Sequence, residues 1–240
     1  MSGGKVICVG LGPGDPDLMS VRADRMVRGA AHVAYFRKRG YEGQARRIVE
    51  GMLRADATEY AMDYPVTTEI SFADPEYNRL MAEFYEHWAE KLALLAGTET
   101  VLVLCEGDPF FYGSFMHLYT RLRDRVPVEV VPGITGMSGC WTATGEPITW
   151  GDDVLTVVTA TMSEADLTAR ARATDALVVM KIGRNLDKLR RALQAAGRLD
   201  DAWLVERGTM PDQKVHRLAT APAKVPYFSI AVIHGQGRRP

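Results

Sequence analysis

The stretch Val101-Leu-Val-Leu-Cys-Glu-Gly-Asp-Pro-Phe-Phe-Tyr-Gly-Ser114 decides the fold. Its apolar run ends abruptly in an acid, a glycine, a second acid and a proline, as a parallel strand buried on both faces does where it leaves its sheet. Open α/β sheets bind ligands at that carboxyl edge. Gly107 admits a close backbone approach, and Pro109 fixes φ and cannot extend the strand. Asp108 is thereby held at the mouth of a crevice; taken alone, the same residues also make an ordinary Gly-Asp-Pro turn.

Two further turns join it. Lys5-Val-Ile-Cys-Val9 reads as a buried strand running into Gly10-Leu-Gly-Pro-Gly-Asp15, with a helix expected over residues 20–29. The loop departs from the dinucleotide fingerprint, because Asp15 stands where a glycine is wanted, and from the Walker loop, because no lysine follows. An acid there repels a pyrophosphate, so a neutral or cationic ligand fits better. Val128-Glu-Val-Val131 then runs into Pro132-Gly-Ile-Thr-Gly-Met-Ser-Gly139, a third small-residue turn. Three such turns at three strand ends point to one crevice lined by backbone.

Composition narrows the class. The 240 residues are 47% hydrophobic and 25% charged, and 29 basic against 30 acidic residues leave a net charge of −1. Such a balance offers no field for nucleic acid or an anionic membrane, and no run reaches membrane-spanning length. Cys8, Cys105 and Cys140 are odd in number and far apart; Cys8 and Cys105 lie in apolar runs and read as buried thiols of a reducing, cytoplasmic compartment, and no His/Cys cluster offers a metal site. The chain divides into 1–132 and 133–240, both α/β, with a mostly parallel first sheet and a mixed second one.

Further elements follow from pattern. A second strand is expected over residues 30–36, a helix over 42–53, a short strand near 58–60 and a loop over 61–74 long enough to act as a lid. Asp74-Pro75 caps a helix whose stripe of Tyr77, Leu80, Met81, Phe84, Trp88, Leu92 and Leu95 faces the core, leaving His87 on the wet side. His117 likewise reads as a helix-surface or groove residue. A helix over 114–123 follows the second turn. Later strands are expected over 154–159, 176–181, 203–207, 215–218 and 228–234, with a helix from the Asn185 cap to Gly197. Arg37, Lys38 and Arg39 read either as a solvated loop or as a docking point for a polyanionic substrate.

Taken together, Gly10 to Ser20, Glu106 to Ser114, Val131 to Gly139, Val179-Met-Lys-Ile-Gly183 and Glu206-Arg-Gly-Thr209 resemble the tetrapyrrole methylase family, collinearly over nearly the whole chain. The resemblance implies two α/β domains, the first on the substrate side and the second on the cofactor side, with S-adenosylmethionine between them, and a homodimer. The implied cofactor contacts are Pro13, Glu106, Gly107, Asp108, Phe111, Thr135, Gly136, Ile182 and Gly208, with Met180, Tyr227 and Phe228 beside them. Two positions depart from the family pattern: Glu106 stands where many members have glycine, and Ile182 where some have methionine. The implied reaction is methyl transfer from sulfur to a carbon of a polycarboxylated reduced tetrapyrrole, leaving S-adenosylhomocysteine. It needs no metal and no covalent enzyme intermediate.

In that reaction the protein chiefly aligns donor and acceptor to about 3–3.5 Å and excludes water. Asp108 is expected to orient the cofactor, Lys181 to face the substrate and Tyr64 to assist from the substrate side. The alternatives are a turn-making Asp108 and a Lys181 that is simply an exposed strand-end charge. A nicotinamide oxidoreductase would need an acid ending the second strand, where Phe36-Arg-Lys-Arg39 has none. A non-catalytic nucleotide-binding module would have no use for the long loop or for turn motifs in the second half.

Overall fold

The structure is a computed structural model, and it describes residues 3–67, 69–70 and 74–237. The chain forms two compact units, Met1–Thr135 and Gly136–Pro240. The first contains β1 (Val6–Gly10), α1 (Val21–Gly29), β2 (His32–Lys38), α2 (Gln44–Ile48), β3 (Thr58–Tyr64), α3 (Pro75–Ala96), β4 (Val101–Cys105), α4 (Phe115–Leu122) and β5 (Val128–Val131). Its sheet has the order β3-β2-β4-β1-β5 with every pair parallel.

Strand alternation sorts the apolar runs into two cores. Val6, Cys8, Val101, Val103 and Cys105 face one side with α3 and α4, where Phe84, Trp88, Leu92, Phe115 and Leu118 complete the cluster. Ile7, Val9, Leu102 and Leu104 face the other side, against Ala23 and Val27 of α1 and Ala45 and Ile48 of α2. Both faces are thus covered, and β1 and β4 are buried throughout. Ser20 Oγ accepts the Ala23 amide at the start of α1, and Asp74 Oδ1 accepts the Glu76 amide at the start of α3.

Several boundaries differ from expectation. β2 continues through Arg37 and Lys38, whose backbones pair with Asp63 and Tyr64 of β3, so these two cations stand on a strand rather than in a loop. β3 likewise absorbs residues 61–64 of the expected lid. The remaining lid segment falls partly on residues 68 and 71–73, which lie outside the described residues. The helix expected over 42–53 is only the five residues of α2, followed by turns.

The second unit contains α5 (Gly136–Ala143), β6 (Leu155–Thr159), α6 (Glu164–Arg172), β7 (Ala176–Met180), α7 (Leu186–Ala196), β8 (Ala202–Glu206), β9 (Lys214–Arg217) and β10 (Ser229–Ile233). The sheet order is β6-β7-β10-β8-β9, with β6 and β7 parallel and the other pairs antiparallel, so the sheet is mixed. Leu177, Val179, Leu204 and Ala231 pack against α6 and α7. Val178, Val205, Ile230 and Val232 pack with Cys140 of α5. Half of the expected turn over 132–139 is therefore helical. Asn185 precedes α7, but its side chain makes no capping bond, and Gly197 closes the helix at φ +73°. Among the described residues no helix is long and apolar enough to cross a membrane, and no group of three or more His, Cys, Asp or Glu could hold a metal ion.

Candidate active site

In the first unit the connections from β1 and β4, adjacent strands, leave in opposite directions, so the topological switch point lies between them. There the three turns close on one another through backbone. The Gly107 amide donates to Gly12 O at 2.7 Å, and the Leu11 amide donates to Cys105 O at 2.9 Å. A Cβ on Gly133 would stand 2.1 Å from Gly107 O, and one on Gly10 would stand 2.6 Å from Gly133 N. Only glycine permits that approach at these two positions.

The two acids at the end of β4 are held differently. Asp108 Oδ1 accepts the Phe110 amide at 2.9 Å, and Oδ2 accepts the Gly133 amide at 3.1 Å. Asp108 therefore makes its own turn and also ties the β4 edge to the β5 edge. Glu106 keeps part of its surface exposed, and its Oε1 accepts the Ala45 amide at the start of α2, at 3.1 Å. Loss of hydration around its carboxyl pushes the pKa up from the ordinary carboxylate value. The opposing influences are two backbone amides, its own and that of Ala45.

The edge suits a ligand without phosphate. The Leu11 and Gly12 amides are directed at backbone oxygens, and Asp15 caps the following 3-10 turn by accepting the Asp17 amide. An anionic diphosphate would meet spent amides and two carboxylates, whereas a sulfonium or ammonium group would meet favourable charge. Pro13 is buried in this loop, while Phe110 and Tyr112 are exposed beside it.

Other expected residues stand further along the edge. Tyr64, at the end of β3, bonds Ser114 through its hydroxyl, stacks on Phe36 at 5.6 Å and packs at a tilt against Phe84 at 5.3 Å. It is a member of the aromatic cluster at the rim of the core. Arg37 pairs with Asp63 at 2.6 Å and Lys38 with Glu69, so among the described residues only Arg39 of the basic trio has no carboxylate partner. The two pairs rest on cross-strand or nonlocal partners that the local spacing does not reveal.

The second unit brings its expected residues to one edge of its own sheet. β7 and β8 end where β10 begins, with Ser229 opposite Glu206. Met180, Lys181, Ile182, Gly208, Tyr227 and Phe228 lie at these ends. The Arg207 amide donates to Phe228 O at 2.7 Å, fixing the approach of Phe228 to the β8 end. The Ile182 side chain is fully buried in the α6–α7 core, so this residue presents backbone rather than side chain at the edge. A Cβ on Gly208 would stand 2.8 Å from Cys140 Sγ, so Gly208 lets the post-β8 loop lie on α5. Thr135 closes the first unit and Gly136 opens α5.

Sequence reasoning missed a shared property of these edges. All four non-glycine residues with positive φ among the described ones, Tyr112, Lys181, Arg207 and Thr209, follow β4, β7 or β8. Such strain persists where the surroundings over-determine it, and it concentrates at functional sites. No local sequence signal marks it.

Comparison with known proteins identifies the family and the fold. Residues 5–222 match the model of the Tetrapyrrole (Corrin/Porphyrin) Methylases. A precorrin-2 C(20)-methyltransferase from Sinorhizobium sp is 52% identical over 239 residues, covering 99% of this chain and 98% of that protein. A cobalt-precorrin-2 C(20)-methyltransferase from Salmonella typhimurium is 24% identical over 238 residues, covering 97% of each. Among solved structures, the methyltransferase CobJ aligns with a TM-score of 0.69 at 19% identity, over 99% of this chain and 96% of that one. A uroporphyrin-III C-methyl transferase from Thermus thermophilus, complexed with S-adenosyl homocysteine, aligns at 0.66 with 22% identity, over 96% of this chain and 92% of that one. Fold and sequence thus agree on the class: the chain is a methyltransferase belonging to the tetrapyrrole methylase family.

Proposed function

We propose that this enzyme transfers a methyl group from S-adenosylmethionine to the C-20 meso carbon of metal-free precorrin-2, giving precorrin-3A in cobalamin biosynthesis. The observation that carries this reading is the 52% identity, over essentially the full length of both chains, to a relative named for that reaction. The counterpart named for the cobalt-loaded substrate shares only 24%.

Bound S-adenosylmethionine supplies an activated methyl on a sulfonium, so the protein must position it, shield it and manage charge. At the β1–β4 switch point, Asp108 locks two turns into one surface through its pair of backbone amides. Preorganisation of that kind lowers the cost of aligning donor and acceptor. In this reading Pro13, Gly107, Phe111, Thr135, Gly136, Met180, Ile182, Gly208, Tyr227 and Phe228 are the cofactor contacts. Lys181 and Arg39 answer the substrate's carboxylates. A reducing cytoplasm and a homodimer complete the proposal.

Calorimetric titration with S-adenosylhomocysteine, with NADH in parallel, tests the cofactor assignment. The expected result is binding of S-adenosylhomocysteine alone. Binding of NADH alone would overturn the assignment and return the glycine-rich turn to the dinucleotide folds.

A further inference from the structure

Replacing a hydrogen on an sp2 carbon by methyl leaves one proton to be removed, and the chain must supply somewhere for it to go. The first unit offers two acids at the β4 edge. Asp108 directs both oxygens at backbone amides, 2.9 and 3.1 Å away, and holds the turns together. Asp15 caps a turn through the Asp17 amide, and Asp63 is paired with Arg37. Glu106 differs from all three. Its carboxylate is held by backbone alone, the Ala45 amide donating to Oε1 at 3.1 Å and its own amide lying alongside, and among the described residues it caps no turn and pairs with no cation. It stands two residues from Asp108, directly after β4 and beside the switch point.

We propose that Glu106 is the catalytic base of the methylation, accepting the meso proton through Oε2. This role rests on the functional reading above. The macrocycle's π pair forms the new C–C bond as the C–S bond breaks and its electron pair stays on sulfur. The positive charge passes to the macrocycle. The meso C–H bond then breaks toward Glu106, its electron pair restores conjugation, and the carboxylic acid so formed returns its proton to water. One methyl and one proton leave their donors, and the proton balances the lost sulfonium charge. A carboxylate that is poorly hydrated and lacks a cationic partner is a stronger base than a surface one.

The test uses the full chain, its Glu106→Gln and Glu106→Asp variants, and two readouts. The first is deuterium uptake from D2O at the meso position of precorrin-2 bound to enzyme without cofactor, followed by NMR. This exchange needs the same carboxyl to deliver and remove a proton at that carbon, and it is independent of methyl transfer. The second is turnover alongside S-adenosylhomocysteine affinity. Wild type is expected to accelerate exchange. Glu106→Gln is expected to abolish that acceleration and to lower kcat about 10²- to 10⁴-fold, the span for one acid–base group, with the affinity held within about threefold. Glu106→Asp, which keeps the carboxylate, is expected to recover part of both. Undiminished exchange and turnover in Glu106→Gln would overturn the role. So would a loss of S-adenosylhomocysteine affinity as large as the loss of rate, which would make Glu106 a cofactor contact only. Failure of the wild type to methylate precorrin-2 despite binding S-adenosylhomocysteine would instead bring down the functional reading, and this role with it.

Discussion

Replacing Gly133 by alanine tests whether the three turns really close on one another. The added Cβ would lie 2.1 Å from Gly107 O and 2.9 Å from two backbone atoms of Gly10, all main chain of adjacent strand ends. Backbone cannot swing aside as a long side chain can, so β1, β4 and β5 must shift relative to one another at their carboxyl ends. Overpacking of this kind costs about 1–3 kcal/mol. The same shift stretches the bond from the Gly133 amide to Asp108 Oδ2, and a hydrogen bond to a charged group contributes about 1.5–3 kcal/mol. A combined loss of about 3 kcal/mol corresponds to a fall in Tm of roughly 6–12 °C for a chain of this size. Gly29→Ala is the control. Gly29 ends α1 with nothing within 4 Å of a built Cβ and no positive φ, so alanine should gain about 0.4–1 kcal/mol. Thermal unfolding followed by circular dichroism, with urea titration at 25 °C, should move the two variants in opposite directions. A Gly133→Ala protein that unfolds at or above the wild-type temperature would refute the closed edge.

Asp108→Asn keeps one acceptor but turns an NH2 group toward a backbone amide, so it should cost about 2 kcal/mol and lower Tm by roughly 4–8 °C, read by the same unfolding curves. At Lys181, held at φ +54°, the usual ranking reverses: Lys181→Gly should be more stable than Lys181→Ala by about 1 kcal/mol, measured by urea unfolding. Glu106 titrates with a pKa raised in the folded state, so its charged form opposes folding. Wild-type stability therefore falls as pH rises from the ordinary carboxylate value through the raised one, and the loss persists above it. Glu106→Gln cannot ionise and should escape this loss, so its unfolding free energy should exceed wild type at pH 7 and approach it at pH 4; a constant gap would contradict the shift.

Much of the first unit was legible because its central strands are buried on both faces. Val6–Val9 and Val101–Cys105 read as continuous apolar runs that no surface element would carry. The stripe of α3 was legible for the complementary reason, that one face alone is buried. α6 escaped notice because only Leu167 and Ala171 are buried, too thin a stripe to register. The available signal was local: Ser163 accepts the Asp166 amide and bonds the Asp166 carboxylate in return. α5 carries Gly136, Ser138 and Gly139, poor helix formers, and its place comes from Cys140 packed against Gly208, a contact far away in sequence. The strand positions of Arg37 and Lys38 depend likewise on backbone pairing with Asp63 and Tyr64 of β3, distant in sequence. At the site, motif spacing located the edge residues. It did not distinguish Asp108, whose oxygens tie the β4 edge to the β5 edge, from Glu106, which reaches the start of α2, because the Gly133 and Ala45 amides are remote in sequence from both acids.

The central claim is methylation of a metal-free tetrapyrrole at one meso carbon. The most direct measurement is an anaerobic incubation of the full chain with precorrin-2 and S-adenosylmethionine carrying a 13C-labelled methyl, with NMR of the product. The account predicts a single new labelled methyl at C-20 and one equivalent of S-adenosylhomocysteine. Label at another carbon, or transfer only to the cobalt-loaded substrate, would contradict it.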